Sequence, residues 1–237
     1  MESATYSSKP KRSLMLIGVL LTVGFLFSIS IGGRIFISSV FGITNDIGSI
    51  LFISRIFYWL SLLLAWLCAF KLEKQNLLLW QERKYKFWVY IASVLALFFI
   101  IALGDVLINI VLGLILHHKE QSVELEKMIV AFKANRLLLL FTCMTAGIVE
   151  ELVFRGYLLP RLTLLFKNDY IAIFISSALF GLIHYRFGTI HNIVGPFFIG
   201  TVLAFHYRKF RNIKMLIVFH FLWDLGALSL MMHSPPH

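Results

Sequence analysis

The sequence predicts an all-α fold, a polytopic transmembrane helical bundle. Three observations carry that prediction. Of 237 residues, 59% are hydrophobic and only 14% charged, where soluble domains average roughly 25% charged. The mean hydropathy is +0.84, and the surplus of Leu, Ile and Phe runs along the whole chain instead of sitting in one anchor. Apolar runs of about 20 residues, the length of a helix that crosses a bilayer, recur from end to end with short basic clusters between them.

Residues 1–13 begin polar, at Met1–Pro10, and are expected to form a disordered cytoplasmic N-terminus. Spans are expected near 14–32, 51–70, 87–116, 136–153, 169–184, 190–206 and 213–232: about seven, with six to eight as the bracket. The first run is too long for a cleaved signal peptide, and no small-residue cleavage pattern leads into a soluble domain. Segment 35–50, with Gly42, Asn45, Asp46 and Gly48, is too polar for a span and suits part of a hairpin. The run 87–116 is long enough for one tilted helix or for a helix broken near Gly104. Residues 14–116 thus read as N-terminal transmembrane helices. Residues 117–135 read as an extramembrane or interfacial segment, in which Val123, Leu125, Met128, Ile129 and Phe132 offer an apolar face to the bilayer. Residues 136–232 form a core that holds the motifs described below, and the tail Met232–His237 is too short to fold. There is no internal repeat.

The net charge is +10, but its distribution does not point to nucleic acid. The cations cluster at the ends of apolar runs, where they set orientation and meet anionic lipid. Lys9, Lys11 and Arg12 precede the first span; Lys71, Lys74, Arg83, Lys84 and Lys86 follow the second. Arg155, Arg161 and Lys167 follow the fourth, and Arg208, Lys209, Arg211 and Lys214 follow the sixth. Seven spans put all four groups on one side, predicted to be cytoplasmic, with the C-terminus opposite. Cys68 and Cys143 both lie in apolar runs, so neither a disulfide framework nor a CxxC metal site is expected.

Ionisable residues in hydrocarbon are costly and mark function by default. Three groups stand out: Glu150-Glu151-Leu152-Val153-Phe154-Arg155, Phe180-Gly181-Leu182-Ile183-His184, and His220-Phe221-Leu222-Trp223-Asp224. On an α-helix, residues four apart share a face, so Glu151 can pair with Arg155, Phe180 lies with His184, and His220 with Asp224. Glu150 turns about 100° away from Glu151 and can point elsewhere. A fixed carboxylate beside a freer one separates a structural acid from a working base. Asp224 accepting from one nitrogen of His220 would fix the ring's tautomer and leave the other nitrogen for a metal or an oxyanion. The set can activate water and attack a peptide bond. Its bland counterpart is helix packing: a Glu–Arg pair that fixes topology, histidines hydrogen-bonded within the bundle, and Phe180 packing around His184. His191 and His206 match no motif and read as interfacial; His117-His118 reads as a polar loop.

EExxxR, FxxxH and HxxxD in this order on successive membrane helices resemble the CAAX-protease and bacteriocin-processing (CPBP, or Abi) family of intramembrane endopeptidases, over about residues 136–232. The family's third motif ends in Asn or Asp, and Asp224 falls within it. The resemblance implies Glu150 as the base that activates water, Glu151 held by a structural Arg155, and His184 and His220 as metal ligands or carbonyl polarisers. It implies Asp224 as the partner of His220 or a group on the oxyanion side. Two His and a Glu suit a zinc ion with an open position for water, with Glu150, His184 and His220 as ligands; a metal-free mechanism driven by Glu150 is the other chemistry open to them. The expected partners are a peptide or protein substrate at the membrane and anionic lipid, with no nucleic acid.

Other classes fit less well. There is no HExxH, no GxSxG and no rhomboid-type Ser-His pair. Ala102-Leu103-Gly104-Asp105 misses the GxGD pattern of aspartyl intramembrane proteases, and Asp105 reads as an interhelical hydrogen-bond or kink residue. No Gly/Pro-broken helices recur in matching halves as in transporters. The alternative is a non-proteolytic membrane scaffold or bacteriocin-immunity and regulatory protein, which has no need of Glu150, His184 and His220 together. The short chain without organelle signals suggests a bacterial cell membrane and peptide substrates.

Overall fold

A computed structural model describes residues 11–44, 46–117 and 121–233. The expected disordered segment Met1–Pro10, His118 and the last four residues of the tail lie outside the described residues. Every element described is helical: α1 (Arg12–Phe41), α2 (Ile47–Leu67), α3 (Phe87–Leu116), α4 (Val123–Ala134), α5 (Arg136–Thr145), α6 (Leu159–Phe166), α7 (Asp169–Leu182), α8 (His191–Phe210) and α9 (Ile213–His233). A π-turn, Cys68–Leu72, ends α2, and a 13-residue π-helix, Ala146–Leu158, joins α5 to α6.

The helices start where short polar side chains cap their free N–H groups. Asp46 accepts from Ser49 N, Ser122 from Leu125 N, and Asn135 and Asn168 each accept from two amides. The segment 35–50, expected as part of a hairpin, is the last turns of α1, a stop at Gly42 (φ +67°), and the start of α2, and the two helices pack on each other. No break occurs at Gly104: α3 is one helix, and Gly104 is where the Phe198 ring of α8 lies against its backbone.

Six helical segments are long and apolar enough to span: Arg12–Phe41, Ile47–Leu72, Phe87–Leu116, Arg136–Phe166, Asp169–Phe187 and Ile213–His233. The protein is an integral membrane protein. The span expected at 190–206 is α8, which is not among these six: polar residues flank its apolar middle, His191 and Asn192 at the start and His206, Arg208 and Lys209 at the end. It packs along α7 and α3 all the same. The fourth span runs to Phe166 rather than 153 because the π-helix carries the chain on without interruption.

Hydrogen bonds gather the connections at two ends of the bundle. At one end Arg83 N donates to Arg211 O, Asn212 Nδ2 to Arg83 O, and Tyr207 Oη to Glu82, at 2.8, 2.7 and 2.9 Å. The same end holds a buried cluster in which Arg161 and Tyr157 both donate to Glu73, each at 2.7 Å. Arg161 was expected among the orienting surface cations; it is fully buried, because Glu73 and the carbonyls of Asn76, Leu77 and Tyr157 engage its guanidinium. At the other end Arg34 pairs with Glu124 at 3.1 Å, and Ser122 Oγ donates to Phe187 O at 2.7 Å. The amphipathic segment is α4. It buries Met128, Ile129 and Phe132 against α2, α5 and α9, while Val123 stays exposed.

Candidate active site

The first motif lies wholly in the π-helix, a rare backbone state found most often at functional sites. Gly147 allows the approach that builds the site. A β-carbon there would come within 3.0 Å of Ile217 O and Phe221 N, so the π-helix and α9 meet backbone against backbone, and α9 delivers His220 to the motif. Gly181 does the same between α7 and α8, where a β-carbon would lie 2.7 Å from Ile193 O.

Glu151 is fully buried and ties three groups together. Its Oε1 accepts from Arg155 Nη1 at 2.8 Å and from His220 Nδ1 at 2.7 Å. Arg155 lays its guanidinium over the Phe180 ring, 4.4 Å from the centroid. Phe180 in turn meets the rings of His184 and His220 edge to face, at 5.1 and 6.1 Å. The Glu151–Arg155 pair anticipated from spacing is present. The partner of His220 differs from expectation: Glu151, not Asp224, holds Nδ1. Asp224 Oδ2 lies 3.6 Å from Nε2, on the opposite side of the ring and beyond hydrogen-bond distance. One turn of α9 places Asp224 next to the nitrogen that faces the cavity, while the π-helix supplies the carboxylate that reaches Nδ1.

Glu150 is buried too, but its Oε2 has no hydrogen-bond partner among the described residues. That oxygen lies 3.9 Å from His220 Nε2. His184 Nδ1 is 2.8 Å from Phe180 O. A carbonyl only accepts, so Nδ1 carries the proton and a neutral His184 has its lone pair on Nε2. Glu150, His184, His220 and Asp224 all line one cavity of about 460 Å³. Glu151 and Arg155 stand behind it.

Among the described residues, no three His, Cys, Asp or Glu side chains are placed to hold one metal ion. The donor set of Glu150, His184 and His220 therefore does not fit a three-ligand zinc site as arranged here. Outside the motifs, His191 Nε2 lies 3.1 Å from Asp105 Oδ1, which makes Asp105 an interhelical pair, and His206 stacks on Phe210 at 4.4 Å while both its ring nitrogens lack a hydrogen-bond partner among the described residues. His117 closes the C-terminus of α3 in a left-handed conformation. Cys68 and Cys143 are free and buried. Sequence reasoning passed over Arg55. It lines the same cavity from the middle of α2, and the rule that flagged the motif residues, an ionisable group inside an apolar run, applies to it equally. Glu73 follows the apolar run of α2, outside any motif, and nothing local marks it as the partner of Arg161 and Tyr157.

Residues 132–226 match the family model described as Rce1-like, type II CAAX prenyl endopeptidase. No curated protein and no solved structure matches the chain.

Proposed function

We propose that the chain is an intramembrane endopeptidase of the CAAX-protease and bacteriocin-processing family, to which the Rce1-like match over residues 132–226 points, and that it cuts a membrane-associated peptide or protein with Glu150 as its base. One observation carries this reading. Two adjacent carboxylates have been given different tasks: Glu151 is bound on Oε1 by Arg155 and His220, whereas Glu150 presents an unpartnered oxygen beside the cavity.

The reaction follows from those atoms. A water in the cavity gives one hydrogen bond to Glu150 Oε2 and one to the His184 Nε2 lone pair. Glu150 takes a proton as the water oxygen bonds to the scissile carbonyl carbon and the carbonyl electrons move onto its oxygen. His220, held by Glu151 through Nδ1, donates from Nε2 to that oxyanion when the ring carries both protons. The C–N bond then breaks as the oxyanion collapses, and the proton on Glu150 passes to the leaving nitrogen. Glu151 and Arg155 take no part in bond making; they fix the imidazole. Because the donors do not gather three on one point, no step runs through a metal. On this reading His184 serves the water and His220 the oxyanion, two roles that the sequence did not separate.

Basic residues dominate the end that holds the 71–86 and 207–214 connections. By the positive-inside rule we take that end as cytoplasmic and in contact with anionic lipid, and we place the protein in a bacterial cell membrane. The deciding experiment is Glu150→Gln. It keeps the shape of the side chain and removes the base, so cleavage of membrane peptides should fall by about 10²–10⁴, while the protein still inserts and melts normally. Wild-type turnover by purified Glu150→Gln would overturn the assignment. A wild-type protein that binds peptide and never cuts it would favour the scaffold.

A further inference from the structure

We infer that Arg55 and Arg186 form a carboxylate-binding subsite in the wall of the catalytic cavity. Both line the cavity that holds Glu150 and His184. Of the other charges around it, Glu124 is taken by Arg34 and Lys127, at 3.1 and 2.9 Å, and Asp105 faces His191; Glu150 and Asp224 stand 3.9 and 3.6 Å from His220 Nε2 and pair with neither arginine. Arg55 and Arg186 make no ion pair and no side-chain hydrogen bond among the described residues, and the Arg55 Nε–H is buried without a partner.

An arginine sheltered in a membrane span without an acid is expensive. Arg55 offsets part of that cost by placing its guanidinium 4.9 Å from the Tyr58 ring centroid, which also fixes its direction. That contact leaves the buried Nε–H unsatisfied. Arg186 reaches the same region from the short turn Tyr185–Phe187 that follows His184, and both guanidiniums act electrostatically on the Tyr58 hydroxyl. Arg55 also acts electrostatically on Glu150, His184 and Asp224 across the cavity they share. Two unpaired forks of N–H donors in a partly dry cavity match a planar carboxylate. In a cavity that takes peptide, the carboxylate comes from a free C-terminus or from an Asp or Glu side chain. Its capture would set how far from that charge the chain is cut. This rests on the peptidase reading for the identity of the ligand, but the subsite is a binding claim and is tested as one.

The test uses full-length Glu150→Gln protein in neutral detergent and three dansyl-labelled apolar octapeptides. One ends in a free carboxylate, one in a C-terminal amide, and one in the amide with an internal Glu. Fluorescence anisotropy should show one or both carboxylate peptides binding about 10–100-fold tighter than the plain amide, the range for a charge-assisted pair. Which of the two binds tightly identifies the source. The advantage should disappear in Arg55→Gln and in Arg186→Gln and survive in part in Arg55→Lys, which also controls for misfolding. Equal affinity for all three peptides, no binding of any, or a preference that persists in the double Gln variant overturns the subsite. Turnover of the same peptides by wild-type protein is measured alongside. Carboxylate-dependent binding without turnover sinks the peptidase reading and spares the subsite; turnover without preference does the reverse.

Discussion

Glu151→Gln separates the structural from the chemical role of the buried triad. In wild type one oxygen accepts from Arg155 and His220 at 2.8 and 2.7 Å, and both Glu151 and Arg155 are sealed from solvent. The amide keeps the shape but removes the charge that balances Arg155, whose Nη2 already lacks a partner among the described residues. Breaking one side of a buried pair costs about 3–5 kcal/mol. At about 2–4 °C per kcal/mol for a chain of this size, the melting temperature in detergent should fall by about 6–20 °C. Removing both partners, as Glu151→Leu with Arg155→Met, should recover part of that loss, because a buried pair replaced by apolar groups is often neutral. What remains is the unmet Nδ1 of His220, worth about 1–3 kcal/mol. Cleavage should not recover. Without the carboxylate the imidazole loses its orientation, and activity should stay at least about 10²-fold down. The assay pairs thermal unfolding with peptide cleavage on the same preparations. A double variant that cuts at the wild-type rate, or a single variant that melts within about 2 °C of wild type, refutes the reasoning.

Four further outcomes are expected. Gly18→Ala should destabilise by about 1–3 kcal/mol, because its β-carbon would run into Tyr157 Oη and lie 2.7 Å from Glu73 Oε1; a melting temperature equal to wild type would show that the cluster can shift. Burial pushes the Glu124 carboxyl up, but its bonds to Lys127 and Arg34 outweigh that and leave it below its ordinary value. Its contribution is therefore complete above the unfolded carboxylate range and lost as pH falls through the lower folded value, so amide exchange in α4 should accelerate below about pH 4. Reporter fusions at Lys84, Lys119, Arg211 and His237 should read inside, outside, inside and outside; an inside C-terminus means α8 does not cross. Elemental analysis of active, detergent-purified protein should find no stoichiometric zinc, and chelators should leave turnover unchanged, whereas one zinc per chain lost in His184→Ala and His220→Ala would restore a metal site.

The bundle was legible in the sequence because hydrocarbon imposes one requirement on every span, a long apolar run with its polar groups satisfied within the helix. The run 87–116 is α3 to the residue. The motif residues were legible for the complementary reason, that charge in such a run stands out. Partners were harder to read. Spacing on an ideal α-helix located Glu151–Arg155 but assigned His220 to Asp224, since nothing local reveals that Gly147 brings α9 close enough for His220 to reach another helix. Arg161 looked like a surface cation because Glu73 lies 88 positions away. Local pattern carries faces and periods; contacts between distant segments depend on where small residues let backbones touch.

The π-helix has a consequence for how the motif is spelled. Arg136–Phe166 holds 31 residues, which as a pure α-helix would extend about 46 Å, well past a hydrocarbon core of about 30 Å. Wider turns over Ala146–Leu158 advance the chain less per residue and take up part of that surplus around the two glutamates. The motif is thus written in a register that only the folded bundle enforces. A one-residue deletion between Ala146 and Leu158 would let the segment relax toward α and swing everything beyond it, Arg155 and Tyr157 included, around the axis. The spacing of EExxxR then belongs as much to the packing that holds the wide turns open as to the side chains that spell it.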